Sequence, residues 1–96
     1  MEHFSVLMSV YAKENALSLD KALNSILINQ TIRPTELILV EDGPLTDELY
    51  KIIQKYKCIF PKFTSIKLPI NQGLGPALNI GLKHCHYEWI ARMDSD

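Results

Sequence analysis

ELILVEDGP, residues 36–44, carries a short apolar run directly into two acids and a turn. The nearly continuous apolar run over residues 36–40 is typical of a strand buried on both faces, as in parallel sheets. Glu41 and Asp42 follow at once, and the pair Asp42-Gly43 predicts a tight turn. The segment therefore predicts a buried strand whose carboxyl end presents two carboxylates.

Apolar runs and helical periodicities alternate along the rest of the chain. Between residues 19 and 27, apolar side chains recur at the spacing of one helix face. Asn15 or Ser18 would cap this helix, with Asp20 in its first turn. Thr46 is a typical N-cap for a second helix, and Pro76 suits the first position of a third. The predicted strands are 4–11, 36–40, 64–68 and 88–93, and the first and third helices are about 15–30 and 76–85.

The order of the elements, β-α-β-α-β-α-β, predicts an α/β fold. We expect a Rossmann-like three-layer α/β/α arrangement with a mostly parallel sheet. The chain has 96 residues, of which 47% are hydrophobic and 22% charged, so it forms one domain or part of one. Ligands of such sheets bind outside the carboxyl ends of the strands.

Composition excludes several classes of protein. Ten Lys and Arg residues against 11 Asp and Glu give a net charge of -1, so no nucleic-acid partner is expected. No apolar run approaches the roughly 18 residues of a membrane span, and the first residues do not resemble a signal peptide. Cys58 and Cys85 are too few for a disulfide framework, so both are expected to be reduced. The run His84-Cys85-His86 could suggest a metal site, but the frayed end of a helix is favoured.

Polar residues follow every predicted strand at what would be one edge of the sheet. They are Tyr11, Asp42, the loop 71–73, and the pair Asp94 and Asp96. Asp-x-Asp after a strand offers the hard oxygen ligands that Mg²⁺ and Mn²⁺ prefer, although Asp and Ser are also ordinary turn residues. The position of the pair opposite Asp42 favours the metal interpretation.

The other residues at this edge keep two interpretations each. Tyr11 could stack on a nucleobase or be a tyrosine of the core or its rim. Asp42 could accept hydrogen bonds from a base or a ribose, or only form a turn. Asn71 and Gly73 could let the backbone approach a ligand, or form a plain tight turn.

The loop also suggests a rival, a dinucleotide-binding fingerprint. Gly73 and Gly75 have the spacing of its first two glycines, and Asp94 lies about 20 residues further on. However, Leu78 replaces the third glycine, and Pro76 removes an amide that could face a pyrophosphate. The dinucleotide interpretation is therefore disfavoured.

Together these segments strongly resemble the N-terminal half of a family 2 glycosyltransferase with the GT-A fold. The segments that carry the resemblance are SVYAKE (9–14), ALNSILINQT (22–31), PTELILVEDGP (34–44), NQGLG (71–75), NIGL (79–82) and IARMDSD (90–96). They look most like the bacterial exopolysaccharide, capsule and O-antigen branch, including amylovoran-type enzymes. The family often has Asp-Asp-Gly-Ser where this chain has Glu41-Asp42-Gly43-Pro44, and Asp42 is common to both.

The resemblance implies a role for seven residues, a cofactor and a reaction. Tyr11 would line the nucleobase pocket with Glu14 nearby, and Asp42 would hold the base. Asn71 and Gly73 would close over the nucleoside. Asp94 would contact the ribose or the water shell of the metal, and Asp96 would be the main metal ligand. The implied cofactor is Mn²⁺ or Mg²⁺. The implied reaction is inverting transfer from a UDP-sugar to a saccharide or lipid-linked acceptor in bacterial surface polysaccharide biosynthesis.

The resemblance also implies that the catalytic base lies downstream of Asp-x-Asp. Residues 1–96 would then be the N-terminal, nucleotide-sugar-binding part of a single glycosyltransferase domain, truncated after that motif and inactive in transfer. We expect self-association through the exposed edge of the fourth strand. The expected location is the cytoplasm, including the inner face of the membrane. Two alternatives stay open: a sugar-nucleotide nucleotidyltransferase, or a non-catalytic nucleotide-binding or assembly module.

Overall fold

Strands and helices alternate along the chain as predicted. The computed structural model describes residues 3–29 and 31–95. Its elements are β1 (Ser5–Val10), α1 (Ala16–Leu27), β2 (Glu36–Glu41), α2 (Asp47–Ile59), β3 (Phe63–Lys67), α3 (Leu74–Leu82) and β4 (Ile90–Arg92). Gln30, which ends the predicted first helix, lies outside the described residues. Strand β4 is half the length of the predicted 88–93.

The strands pair in parallel in the order β3-β2-β1-β4. Ser5 of β1 aligns with Glu36 of β2 on one side and with Ile90 of β4 on the other. The chain builds the sheet outward from β1 to β3 and then crosses back to place β4 beside β1. Such a reversal opens a crevice at the carboxyl ends of β1 and β4, where the strand order changes direction. Strand β4 is an edge strand, and self-association through it stays a prediction.

Each face of the sheet carries its own apolar layer. Val6 and Met8 of β1 pack in the layer that contains α1 and α2, whereas Leu7 packs in the layer that contains α3. In β2, Leu39 and Val40 divide between the two layers in the same way. Because helices cover both faces, the strands are apolar almost throughout. The predicted three-layer α/β/α fold is confirmed.

The predicted helix caps have different outcomes. The side chains of Asn15 and Thr46 each accept a hydrogen bond from the backbone N–H three residues further on, as predicted. Asp20 is not in the first turn of α1, because that helix begins at Ala16. Its carboxylate instead accepts hydrogen bonds from Tyr56 of α2, at 2.5 Å, and from Lys55. Both bonds lower the pKa of Asp20, and the bond from Tyr56 has the larger effect. They also join α1 to α2.

Helix α3 differs from its prediction in where it starts. It begins at Leu74, so Pro76 occupies the third position and not the first. The first N–H groups of a helix need no partner within it, so proline is tolerated throughout the first turn. Near the other end of α3, a Cβ atom on Gly81 would lie 2.5 Å from Leu7 Cδ1 and 2.6 Å from Val40 Cγ2. Glycine at position 81 therefore lets α3 lie close against the sheet.

The Glu36 carboxylate joins three segments at the amino edge of the sheet. It accepts hydrogen bonds from the Ser5 hydroxyl at 2.5 Å, the His86 backbone N–H at 2.6 Å and His86 Nδ1 at 2.8 Å. Burial by itself raises the pKa of Glu36, but the bonds from His86 and Ser5 outweigh it and lower that pKa. Glu36 therefore ties the segment between α3 and β4 to the first two strands.

Two negative predictions concern cysteines and membrane spans. Cys58 is exposed, Cys85 is partly buried, and both are free thiols. Burial raises the pKa of the Cys85 thiol. Of the helices in residues 3–29 and 31–95, none has the length and apolar content to cross a membrane.

Candidate functional site

A cleft runs along the carboxyl edge of the sheet, where the sequence predicted a ligand site. Its central cavity has a volume of about 340 Å³. The residues lining it are Ser9, Tyr11, Glu14, Asp42, Asn71, Gly73 and Leu74. Five of the seven predicted site residues are thus brought together around one cavity, although they come from three separate segments of the chain.

Asp42 forms several hydrogen bonds to the 71–73 loop of this cleft. The residue is only 4% exposed. Its Oδ1 accepts the backbone N–H of Gln72 at 2.7 Å, and its Oδ2 accepts the backbone N–H of Gly73 at 3.0 Å. The Asn71 side-chain amide donates to the Asp42 carbonyl at 3.1 Å and to Oδ2 at 3.3 Å. Asp42 therefore holds the 71–73 loop against the end of β2, in addition to lining the cavity.

Gly43 makes this junction tight. Its φ is +88°, a backbone conformation that residues with a Cβ atom rarely adopt. A Cβ atom at this position would also lie 2.8 Å from the backbone nitrogen of Asn71. The turn after β2 and the loop after β3 therefore pack backbone against backbone.

Gly73 forms the N-cap of α3 with a φ of +96°. Without a side chain it makes no capping hydrogen bond of its own, and a Cβ atom here would meet nothing within 4 Å. The Gly73 N–H donates instead to Oδ2 of Asp42. The N-cap residue of α3 is therefore tied to the residue that follows β2.

Tyr11 and Glu14 form the opposite wall of the cavity. They belong to the turn between β1 and α1, which is closed by a hydrogen bond from the Glu14 N–H to the Tyr11 carbonyl at 3.0 Å. Tyr11 is 41% exposed, so its ring can contact a ligand and the residue does not belong to the core. This exposure excludes a core position and fits both a stacking residue and a tyrosine at the rim of the core.

Asp94 lines a second cavity of about 290 Å³. Ser9, Glu14 and Leu74 line both cavities, so the two form one continuous cleft. Asp94 is therefore in the same cleft as the first five residues but not in its central part. Asp96, the predicted main metal ligand, lies outside the described residues.

Six residues that line this cleft were not predicted as site residues: Ser9, Leu74, Leu78, Arg92, Met93 and Ser95. Ser9 and Leu74 line both cavities, and Arg92 lines the second. Ser9 had a recognisable signal, because it is a small polar residue near the carboxyl end of an otherwise apolar strand. Leu74 had none, since an exposed leucine at the start of a helix is unremarkable in sequence.

Glu41 does not belong to the cleft, although it precedes Asp42. Side chains of a strand alternate between the two faces, so Glu41 points to the α2 side of the sheet. It is buried there, in a groove that is also lined by Lys51, Lys57 and Lys67. One residue along the strand therefore separates a cleft residue from a residue of the α2 layer.

The metal interpretation of His84-Cys85-His86 is not supported. His86 binds Glu36, and His84 Nδ1 is 3.0 Å from the Ile80 carbonyl oxygen. Within residues 3–29 and 31–95, no three His, Cys, Asp or Glu side chains are placed to hold a metal ion together.

The chain resembles bacterial glycosyltransferases in sequence. The family model described as Glycosyl transferase family 2 matches residues 5–96. A UDP-Gal:alpha-D-GlcNAc-diphosphoundecaprenol beta-1,3-galactosyltransferase of Escherichia coli is 43% identical over 97% of the chain and 33% of the relative. The amylovoran biosynthesis glycosyltransferase AmsE of Erwinia amylovora is 41% identical over 97% of the chain and 34% of the relative. An uncharacterized glycosyltransferase of Haemophilus influenzae is 46% identical with the same coverage as AmsE. The chain thus spans about a third of the length of these relatives.

Solved structures share the fold. S. aureus TarS 1-349 in complex with UDP-GlcNAc superposes with a TM-score of 0.74 and 27% identity, over 98% of the chain and 26% of TarS. A mannosyltransferase of Pyrobaculum calidifontis, in complex with GDP-Man and Mn²⁺, superposes with a TM-score of 0.80. It is 20% identical over 98% of the chain and 27% of that protein, so this likeness concerns the fold alone.

Proposed function

The chain belongs to glycosyl transferase family 2, and we propose that its cleft binds the nucleotide of a UDP-sugar donor. In the whole protein, the sugar would be transferred with inversion to a saccharide or lipid-linked acceptor during bacterial polysaccharide biosynthesis. The E. coli relative is named for a UDP-sugar donor and a diphosphoundecaprenol acceptor, and TarS was solved with UDP-GlcNAc. These names support the proposed donor and acceptor classes.

The proposal rests on the number of hydrogen bonds that each oxygen of the Asp42 carboxylate accepts. Each carboxylate oxygen has two lone pairs. Oδ2 accepts two hydrogen bonds, whereas Oδ1 accepts one from the described residues. Oδ1 therefore keeps one acceptor position beside the cavity. A base with a ring N–H donor, such as uracil, would satisfy that position, whereas a base with an acceptor there would be repelled.

The ring of Tyr11 complements this acceptor. It lines the same cavity as Asp42 and is partly exposed. A nucleobase between them would stack on the Tyr11 ring and donate its N–H to Asp42. Asn71 and Gly73, which line the cavity as well, would cover the nucleoside from the side of α3.

A divalent cation would bind nearer to Asp94. The Asp94 and Glu14 carboxylates line the second cavity, and their hard oxygen atoms fit Mn²⁺ or Mg²⁺. We propose that Asp94 holds the cation together with Asp96. When bound, such a cation offsets the negative charge of a departing nucleoside diphosphate.

Titration calorimetry of the chain with UDP tests the proposal, with and without Mn²⁺. Binding that Mn²⁺ strengthens would support it. The proposal would be contradicted if the folded chain binds UDP in neither condition and a lengthened chain does not bind UDP either. A lengthened chain that joins a nucleoside triphosphate to a sugar phosphate would instead favour the nucleotidyltransferase alternative.

Tyr11→Ala is expected to weaken UDP binding by about 5- to 150-fold, because stacking a base on an aromatic ring contributes about 1–3 kcal/mol. Calorimetry at a fixed Mn²⁺ concentration gives the ratio of dissociation constants. Tyr87→Ala is the matched control, since Tyr87 precedes β4 at the opposite edge of the sheet and stacks on His3. Equal losses in the two variants would argue against a base at Tyr11.

A further inference from the structure

The 71–73 loop has few means of its own to stay in place. Gly73 offers no side chain as an N-cap for α3. The helix is anchored to the sheet further along, through Ala77, Leu78 and Gly81. Its start and the preceding loop therefore depend on a partner from elsewhere in the chain.

Asp42 is that partner. Its two carboxylate oxygens accept the consecutive backbone N–H groups of Gln72 and Gly73, which lie 30 and 31 residues further along the chain. A carboxylate at the start of a helix also interacts favourably with the helix dipole. Backbone N–H groups held by a charged acceptor form stronger hydrogen bonds than those held by a neutral one.

The side chain and carbonyl of Asp42 act together. Asn71 donates its side-chain amide to the Asp42 carbonyl, so all three loop residues bind the same residue. The adjacent Gly43 has no side chain to keep the loop away, and a Cβ atom there would lie 2.8 Å from the Asn71 nitrogen. All of these contacts are made between residues of the chain itself.

We infer that Asp42 is a positioning residue, whose carboxylate holds the Asn71–Gly73 loop in its cavity-lining position before the nucleotide binds. This inference rests on the proposed function only for its effect on affinity. A loop that is already ordered loses less conformational freedom on binding, so the nucleotide binds more tightly. The role is separate from any hydrogen bond between Asp42 and the base.

Amide hydrogen exchange in the nucleotide-free chain tests the loop directly. In Asp42→Asn, one oxygen is replaced by an NH₂ group that cannot accept the N–H of Gln72 or Gly73. We expect at least one of these two amides to exchange about tenfold faster or more. Amides within the sheet, such as that of Leu37, keep their wild-type rates. Asn71→Ala, which leaves both backbone bonds to the carboxylate, is the matched control and is expected to have a smaller effect on the same amides.

Unchanged exchange at Gln72 and Gly73 in Asp42→Asn would overturn the inference, and so would an equal rise throughout the sheet. If Asp42→Asn does not fold, Gln72→Pro is the second variant. Proline has no backbone N–H, so this change removes the 2.7 Å hydrogen bond from Gln72 to Asp42 Oδ1 and leaves the carboxylate in place. The Gly73 amide must then exchange faster than in the wild type, and an unchanged rate overturns the inference.

A second readout separates positioning from direct contact with the base. Ribose 5-diphosphate has no base, so it forms no hydrogen bond between a base and Asp42. If Asp42 positions the loop, Asp42→Asn weakens ribose 5-diphosphate as well as UDP, by several-fold. If Asp42 acts only on the base N–H, the two proteins bind ribose 5-diphosphate equally, and the inference fails. Should the wild type bind neither compound, the proposed function fails, whereas the exchange rates still decide the role of Asp42.

Discussion

Gly43→Ala is expected to lower the free energy of unfolding by about 2–4 kcal/mol. Two costs add at this position. Its φ of +88° lies in the left-handed region, which strains any residue with a Cβ atom. The Cβ atom would also lie 2.8 Å from the backbone nitrogen of Asn71, and a backbone atom cannot move aside as the end of a flexible side chain can. Urea denaturation followed by circular dichroism measures the loss.

Two other glycines separate these costs. Gly73 has a φ of +96° and a ψ of 164° but open space around it, so Gly73→Ala should show the cost of strain alone, about 1–3 kcal/mol. Gly75 has neither a positive φ nor a neighbour within 4 Å, and Gly75→Ala should be neutral or slightly stabilising. The expected order of destabilisation is Gly43, then Gly73, then Gly75. A Gly43→Ala variant as stable as Gly75→Ala would contradict the close packing of the two loops.

Glu36→Gln is expected to destabilise the chain by about 1.5–3 kcal/mol at neutral pH, because Glu36 is a buried charged acceptor of three hydrogen bonds. The loss should depend on pH. The folded-state pKa of Glu36 is lowered, so its contribution is present above the ordinary carboxyl pKa, about 4.3, and is lost as the pH falls through the lower folded-state value. The stability difference between wild type and Glu36→Gln should therefore be constant above about pH 5 and shrink below pH 4.

Denaturation curves of both proteins between pH 3 and 7 measure this difference. Asp20 also has a lowered pKa, but it is present in both proteins, so its contribution cancels. Ser5→Ala serves as a control, because it removes one hydrogen bond and leaves the carboxylate in place. A wild-type advantage that persists unchanged at the acid end of the range would show that the Glu36 charge is not what stabilises the fold.

Local patterns in the sequence were sufficient for the element order and the class of fold. The apolar run 36–40 became β2, and Asn15 and Thr46 cap the helices that follow them. These features depend on burial periodicity and on hydrogen bonds over three or four residues, so neighbouring residues specify them. The cleft could be predicted for a related reason, since parallel strands place all their carboxyl ends at one edge.

The partners of the polar side chains could not be predicted in this way. Asp42 binds residues 30 and 31 positions away, Asp20 binds Tyr56, and Glu36 binds His86, 50 residues further on. Each of these contacts exists only because packing brings distant segments to within hydrogen-bond distance. The sequence pattern therefore specified which residues lie at the edge of the sheet. Which of them bind one another, and which face a ligand, depended on how closely α3 and its loop pack on β2.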